Sequence, residues 1–256
     1  MKSVSIIICV FNEESTIADV VRACCRFNPM AEVLVVDDGS TDGTVEVLEE
    51  LRKEYLFRTE VLPENRGKSW AMVHGVEQTG GEIILFFDAD VTHISKKHFN
   101  AMLRPMTDHL ADMVLGQPKE TMIDYRINPF KSLTGERAVY RKDIEPILKD
   151  IREIRFGVET FINLHYQAER KRIKYVLLEG LSHPTTFDKT SPVKATKKYI
   201  IEGHEIALTY MDNYELIIRR IENRIINAGT KARDKIAEIQ EQVNKEIEEV
   251  IKKIKL

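Results

Sequence analysis

The chain has 256 residues, 43% hydrophobic and 31% charged, enough to bury one large core or a core with a small appendage. A formal charge of -3, with basic residues not interleaved with aromatics, argues against a nucleic-acid partner. No run approaches the roughly eighteen apolar residues that cross a bilayer. The first residues enter a strand-like run without a signal-peptide pattern. Cys9, Cys24 and Cys25 form no disulfide framework and suit a reducing compartment, so a cytoplasmic protein is expected.

Apolar runs and helical patterns alternate from the start. VSIIICV (4–10) reads as a strand buried on both faces, and Glu14 to Phe27 has helical spacing at Ile17, Val20, Val21 and Cys24. EVLVVD (32–37) is a second strand and Thr44 to Lys53 a helix. Leu56 to Leu62 is a third strand, Lys68 to Gln78 a helix, and EIILFF the fourth strand. This order predicts an α/β protein with a mostly parallel sheet flanked by helices, whose ligands sit beyond the carboxyl ends of the strands. From Asp112 the pattern is less regular: ADMVLGQP reads as a strand, Lys119 to Lys131 as a polar loop. After TGERAVYRKDI come a helix from Val158 to Arg170 and a last strand, RIKYVLLEG. Beyond Ser191 the chain looks helical. After Thr230, Ile236, Ile239, Val243, Ile247, Val250 and Ile254 form an amphipathic stripe.

Acids collect at the strand ends. In FFDADVTH, Asp88 and Asp90 flank Ala89; alternate residues of an extended backbone point the same way, so both carboxylates can converge on one Mg²⁺ or Mn²⁺. A turn or helix cap is the plain alternative. In VVDDGSTDGT, turn and capping chemistry accounts for Ser40 to Thr44 but not for Asp37 and Asp38, either of which could accept hydrogen bonds from a base or ribose. PENRGKSW contains GKS, yet Leu62 stands where a P-loop needs glycine. What remains is Arg66 and Lys68 near a helix start, a diphosphate neighbourhood or simply two solvated cations.

SIIICVFNEE, VLVVDDGSTDGT, NRGKSWAMVHGVEQTGGEIILFFDAD and TGERAVYRKD occur in the order seen in family 2 glycosyltransferases, which the chain resembles over roughly residues 3 to 185. One departure is Cys9, where such proteins usually have proline. The resemblance implies a GT-A fold over residues 1–190, followed by a helical extension over 191–256. It implies a nucleotide-diphosphate-sugar donor, with Phe11, Glu13 and Asp38 as nucleoside contacts and Asp37 beside them. Asp88 and Asp90 become the DxD pair, with Asp90 the direct ligand of the cation and Ala89 between them at the donor.

Glu159, opening a helix after Gly157, is similar in placement to the family's acid facing the acceptor; its plain alternative is an acid on a helix dipole. His183 matches a histidine that serves some relatives as a third metal ligand, or else is a surface residue. TGERAVYRK places Arg137, Arg141 and Lys142 on the acceptor side, with Arg126 and Lys131 in the preceding loop. DADVTH is similar to dolichol-phosphate mannose synthases, whereas TGERAV followed by FGVET and a histidine is similar to glucosyl-3-phosphoglycerate synthases. The acceptor is therefore expected to be a polyprenyl phosphate or another phosphorylated or lipid molecule, with a soluble acceptor as the alternative. The tail's apolar stripe, and the basic stretch Lys189, Lys194, Lys197 and Lys198, raise self-association first and peripheral contact with the inner membrane face second. A non-catalytic nucleotide-sugar-binding scaffold, assembling through that helix, is the reading from another class.

Overall fold

A computed structural model describes residues 2–27, 29–118, 134–152, 154, 157–182 and 208–225. The loop carrying Arg126 and Lys131, His183, the basic stretch from Lys189 and the stripe beyond Thr230 lie outside these residues. In chain order the elements are β1 (Val4–Val10), α1 (Ile17–Phe27), β2 (Glu32–Asp37), α2 (Thr44–Leu51), β3 (Arg58–Val61), α3 (Lys68–Glu77), β4 (Ile83–Asp88) and α4 (Lys96–Thr107). Then follow β5 (Met113–Pro118), β6 (Arg137–Tyr140), α5 (Arg141–Ile144), a 3₁₀ turn, α6 (Leu148–Arg152), α7 (Val158–Ala168), β7 (Ile173–Leu178) and α8 (Tyr214–Ile225).

The strands form one sheet in the order β3-β2-β1-β4-β6-β5-β7. β1, β2, β3 and β4 pair in parallel, so their carboxyl ends share one edge. Successive residues of a strand face opposite layers, which explains why VSIIICV is apolar throughout. Ile6, Ile8 and Val10 pack with Val20, Leu48 and Phe99 from α1, α2 and α4. Ile7 faces the other way, with Ala71, Met72 and Val76 of α3 and Ile162 of α7. Between β1 and β4 the strand order reverses, and the crevice beyond their carboxyl ends is where such sheets bind ligands.

Two elements are not apparent from sequence pattern. Helix α4 has an interior proline, Pro105, and a polar mean composition, yet His98, Phe99, Met102 and Met106 form a buried stripe. Strand β6 has only four residues, which carry no period of their own, and it inserts antiparallel between β4 and β5. That insertion corrects one expectation. Arg137 lies opposite Phe86 near the carboxyl end of β4, but the strand then runs back to pair Tyr140 with Ile83. Arg141 therefore sits at the far end of the sheet, where it donates to the carbonyls of Gly81 and Val76 and to Thr79 Oγ1, tying down the end of α3. Lys142 lies over the Tyr140 ring beside it. Neither lies at the end of the sheet where Asp38 and Asp88 stand, where the expected acceptor role would need them. Helix α8 falls in the expected helical extension and packs on α7, with Arg219 paired to Glu169 at 2.8 Å.

Candidate functional site

The carboxyl ends of β1, β2 and β4 and the turn before α3 enclose a cleft of about 450 Å³. Its β1 side is built by a stitched pair of loops. Asn12, in the left-handed region at φ 56°, accepts at Oδ1 from the Thr41 N–H at 2.7 Å and donates its own N–H to Ser40 Oγ. The Glu13 N–H donates to Thr44 Oγ1, and Glu14 Oε2 accepts the Gly43 N–H at 2.7 Å. Asp42 accepts from both the N–H and hydroxyl of Thr44, which outweighs its partial desolvation and lowers its pKa. DGSTDGT is thus turn chemistry, and the turn holds Phe11 and Glu13 on the cleft wall. Phe11 is 42% exposed, a large ring offered to solvent at the mouth.

The two adjacent acids divide their work. Asp37 is fully buried, and its Oδ1 accepts the Ser40 N–H at 2.7 Å. Asp38 lines the cleft and takes two successive backbone N–H groups, from Arg66 at 2.9 Å and Gly67 at 2.8 Å. These two hydrogen bonds draw the turn before α3 against β2. Gly39 permits the approach: it lies at φ 74°, and a Cβ there would stand 2.7 Å from the Glu64 carbonyl carbon. The turn presents Asn65, Gly67 and Lys68 to the cleft. The Arg66 side chain goes elsewhere, its guanidinium stacking 3.7 Å above the Trp70 ring.

Asp88, Ala89 and Asp90 line the opposite wall. Lys68 Nζ binds Asp88 Oδ1 at 2.7 Å and Glu159 Oε1 at 2.9 Å, so one ammonium joins β4, α3 and the first turn of α7. Desolvation works against the Lys68 charge, but the Asp88 and Glu159 carboxylates overcome it and hold its pKa well above the lysine range. For Glu159, burial would raise the pKa, yet Lys68 and then Arg137 pull it below the usual carboxylate value. Arg137 is completely buried on the α7 side of the sheet, donating to the Thr134 carbonyl at 2.9 Å. Its Nε and Nη1 find no hydrogen-bond partner among the described residues. Desolvation lowers its pKa against the pull of Glu159 and Asp88. Cys9, which sequence reasoning noted only as a departure, floors the cleft. Burial pushes its thiol up to about 12, so at neutral pH it is an uncharged lining group.

Phe11, Glu13, Asp38, Lys68, Asp88, Ala89 and Asp90 thus share one cleft, while Glu159 reaches it through Lys68, the charge of Arg137 acts on Glu159 from behind, and Asp37 holds the Ser40 turn. Asn65 was missed because a lone asparagine in a turn carries no chemical signal beyond the turn itself. Among the described residues no group of three or more His, Cys, Asp or Glu side chains is gathered at metal-binding range.

A seven-stranded, mostly parallel sheet with acids converging at its switch point defines a GT-A fold. Glucosyl-3-phosphoglycerate synthase from Mycobacterium tuberculosis, solved with Mn²⁺, UDP and phosphoglyceric acid, superposes with a TM-score of 0.64 at 19% identity, covering 82% of this chain and 78% of that one. The chain belongs to glycosyl transferase family 2, whose model matches residues 5–197. Similar proteins include a poly-β-1,6-N-acetyl-D-glucosamine synthase of Staphylococcus epidermidis, 31% identical over 35% of this chain and 22% of its own length. An undecaprenyl-phosphate 4-deoxy-4-formamido-L-arabinose transferase of Pseudomonas savastanoi pv. phaseolicola is 35% identical over 36% and 29%. A β-monoglucosyldiacylglycerol synthase of Nostoc is 42% identical over 34% and 20%. The chain matches less than a third of the length of each of these three relatives.

Proposed function

We propose that this chain is a hexosyltransferase that uses a UDP- or GDP-sugar with Mg²⁺ or Mn²⁺ and delivers the sugar to a phosphorylated or lipid acceptor of the polyprenyl-phosphate kind. The observation that carries this reading is the convergence of Asp38, Lys68, Asp88 and Asp90 on one cleft at the switch point of the sheet. The carboxylate oxygens of Asp88 and Asp90 form a hard donor set that fits either ion. Asp90 would hold it directly, with Asp88 behind, and His183 is the proposed third ligand. When bound, the ion supplies positive charge against the diphosphate leaving group.

Within the proposal, Phe11 and Glu13 hold the nucleoside from one wall and Asp38 accepts from it on the other. Asp37 keeps Asp38 and the Ser40 turn in place. Lys68 lies at the start of α3, where the helix N-terminus and the ammonium together suit a diphosphate, whereas the Arg66 side chain is held on Trp70 outside the cleft. Ala89 leaves room between the two acids. Glu159 faces the acceptor and is ionised at neutral pH, the state a general base requires. The cations that lower its pKa also weaken it as a base. This favours an acceptor that arrives already ionised, such as a phosphate, oriented by Arg137. A soluble phosphorylated acceptor is the second reading, which the same buried guanidinium supports. Within this reading the enzyme is cytoplasmic and meets the inner membrane face only where its acceptor is a lipid phosphate, with residues 1–190 as the transferase domain. The balanced charges between the apolar positions after Thr230 favour self-association over membrane contact and over packing on its own domain, which a cut after Gly229 tests by sedimentation and vesicle flotation. Asp88, Asp90 and Glu159 together argue against a purely scaffolding chain.

Thermal shift with UDP-glucose, UDP-GlcNAc, UDP-galactose and GDP-mannose, each in Mn²⁺ or EDTA, tests the donor reading. One donor should raise Tm in Mn²⁺ only, and Asp90→Ala should remove that shift. An unchanged Mn²⁺-dependent shift in Asp90→Ala would sink the assignment of the acids. For the acceptor, Glu159→Gln should lower kcat by about 100-fold or more if a hydroxyl is deprotonated, and far less if a phosphate attacks.

A further inference from the structure

A histidine that no motif marks ties the start of α4 to the turn after β7. His98 is 2% exposed, in the first turn of α4. Its Nδ1 accepts the N–H of Ser95, the residue capping α4, at 3.2 Å. The ring thus takes the place that glutamate or glutamine has in an ordinary capping box. Its Nε2 lies 2.9 Å from the Glu179 carbonyl, in the turn that ends β7. The two contacts together require the neutral ring with its proton on Nε2, because Nδ1 must accept and a carbonyl can only accept. A glutamate in the same place could satisfy Ser95 but could not donate to Glu179. Histidine does both.

A second pin lies a few residues away. The Thr92 N–H donates to the Ser182 carbonyl at 2.9 Å, and the Ser182 N–H returns to the Thr92 carbonyl at 3.3 Å. Thr92 Oγ1 adds a third bond to the same Ser182 carbonyl at 3.2 Å. Beside the pins, Val91 and Leu181 are both fully buried in one core cluster. Among the described residues the segment from Asp90 to Ser95 has no sheet neighbour apart from this bridge, and His93 within it sits at φ 58°. Its course is therefore set by what it is fastened to. The fastening is the Glu179–Ser182 turn, itself closed by the Leu181 N–H on the Leu178 carbonyl at 3.1 Å and by Gly180 at φ 83°.

We infer that His98 and Thr92 are positioning residues that orient Asp90 by clamping the turn after β4 to the turn after β7. This rests on the proposal that Asp90 binds a divalent cation with the donor diphosphate. The test uses the full chain, with free Mn²⁺ followed by electron paramagnetic resonance in the presence of UDP, beside apo-protein Tm. His98→Ala should weaken Mn²⁺ binding about tenfold, the usual scale for groups that orient a metal ligand, and His98→Gln should restore most of it because its amide again both donates and accepts. Thr92→Val keeps the shape and the backbone bridge, and should weaken binding about threefold with Tm little changed. It also keeps the test valid if His98→Ala fails to fold. Mn²⁺ affinity within about twofold of wild type in Thr92→Val and in a folded His98 variant would show the pins to be structural only, and would overturn the inference. If wild type itself bound no Mn²⁺ with UDP, the cation-site reading would fall and this inference with it.

Discussion

Lys68→Met replaces the shared ammonium with an uncharged side chain of similar length, and its cost should shrink as pH falls. In wild type the Asp88 and Glu159 oxygens lie within 2.9 Å of one nitrogen, which places the two carboxylates within about 6 Å of each other. Without the ammonium their repulsion at that distance is about 0.7 kcal/mol in water and about 3 kcal/mol at an effective dielectric near 20. Lys68 is 36% exposed, so solvent moderates the site and about 1–2 kcal/mol, near one pKa unit, is the reasonable figure. In wild type the Glu159 pKa is depressed, so its contribution is present above the unfolded carboxylate value and lost as pH falls through the folded one. In the variant, burial and repulsion raise a carboxylate pKa instead. Stability is then lost as pH rises and regained on acidification. Between pH 7.5 and pH 5 the variant should recover about 1 kcal/mol relative to wild type, or roughly 2–4 °C in Tm. Circular dichroism melts in EDTA across that range measure it. A Tm difference that stays flat or widens on acidification would refute the reasoning.

A Cβ on Gly135 would fall inside the Asp88 carboxylate, so Gly135→Ala must displace that side chain. It should cost about 1–3 kcal/mol in urea unfolding and weaken Mn²⁺–UDP binding by calorimetry more than it weakens UDP alone. Asp38→Asn turns an amide donor toward one of the two N–H groups of Arg66 and Gly67; a loss of about 1–3 kcal/mol in stability, with weakened UDP binding, is expected. At the far end, Asp112 accepts from Arg172 Nε, Nη2 and backbone N–H, and its pKa is lowered chiefly by those bonds. A depressed carboxylate stabilises above its unfolded pKa and ceases to as pH falls, so the stability gap between wild type and Asp112→Asn should close on titration from pH 6 to pH 3.

The parallel half of the fold and the acids of its cleft were legible in the sequence because both depend on local pattern. A strand covered on both faces must be apolar throughout, as VSIIICV is, and a carboxylate next to such a run has nowhere to go except the strand end. Asp38 and Asp88 are recoverable on that ground alone, while Asp90 stands in the turn two residues past the end of β4. What the tertiary structure decided was everything that depends on distance between segments far apart in the chain. Arg137 and Arg141 stand four residues apart in one motif, but an antiparallel strand carries them to opposite ends of the sheet. Arg66 and Lys68 look equivalent in NRGKS, yet Trp70 takes one guanidinium while Asp88 and Glu159 take the ammonium. His98 carries no sign of its position, since its partner at Glu179 is 81 residues away and offers only a backbone carbonyl, which every residue has. Side-chain identity and spacing record which chemistry is available; which groups meet depends on how strands order and reverse, and that is set by packing across the whole sheet.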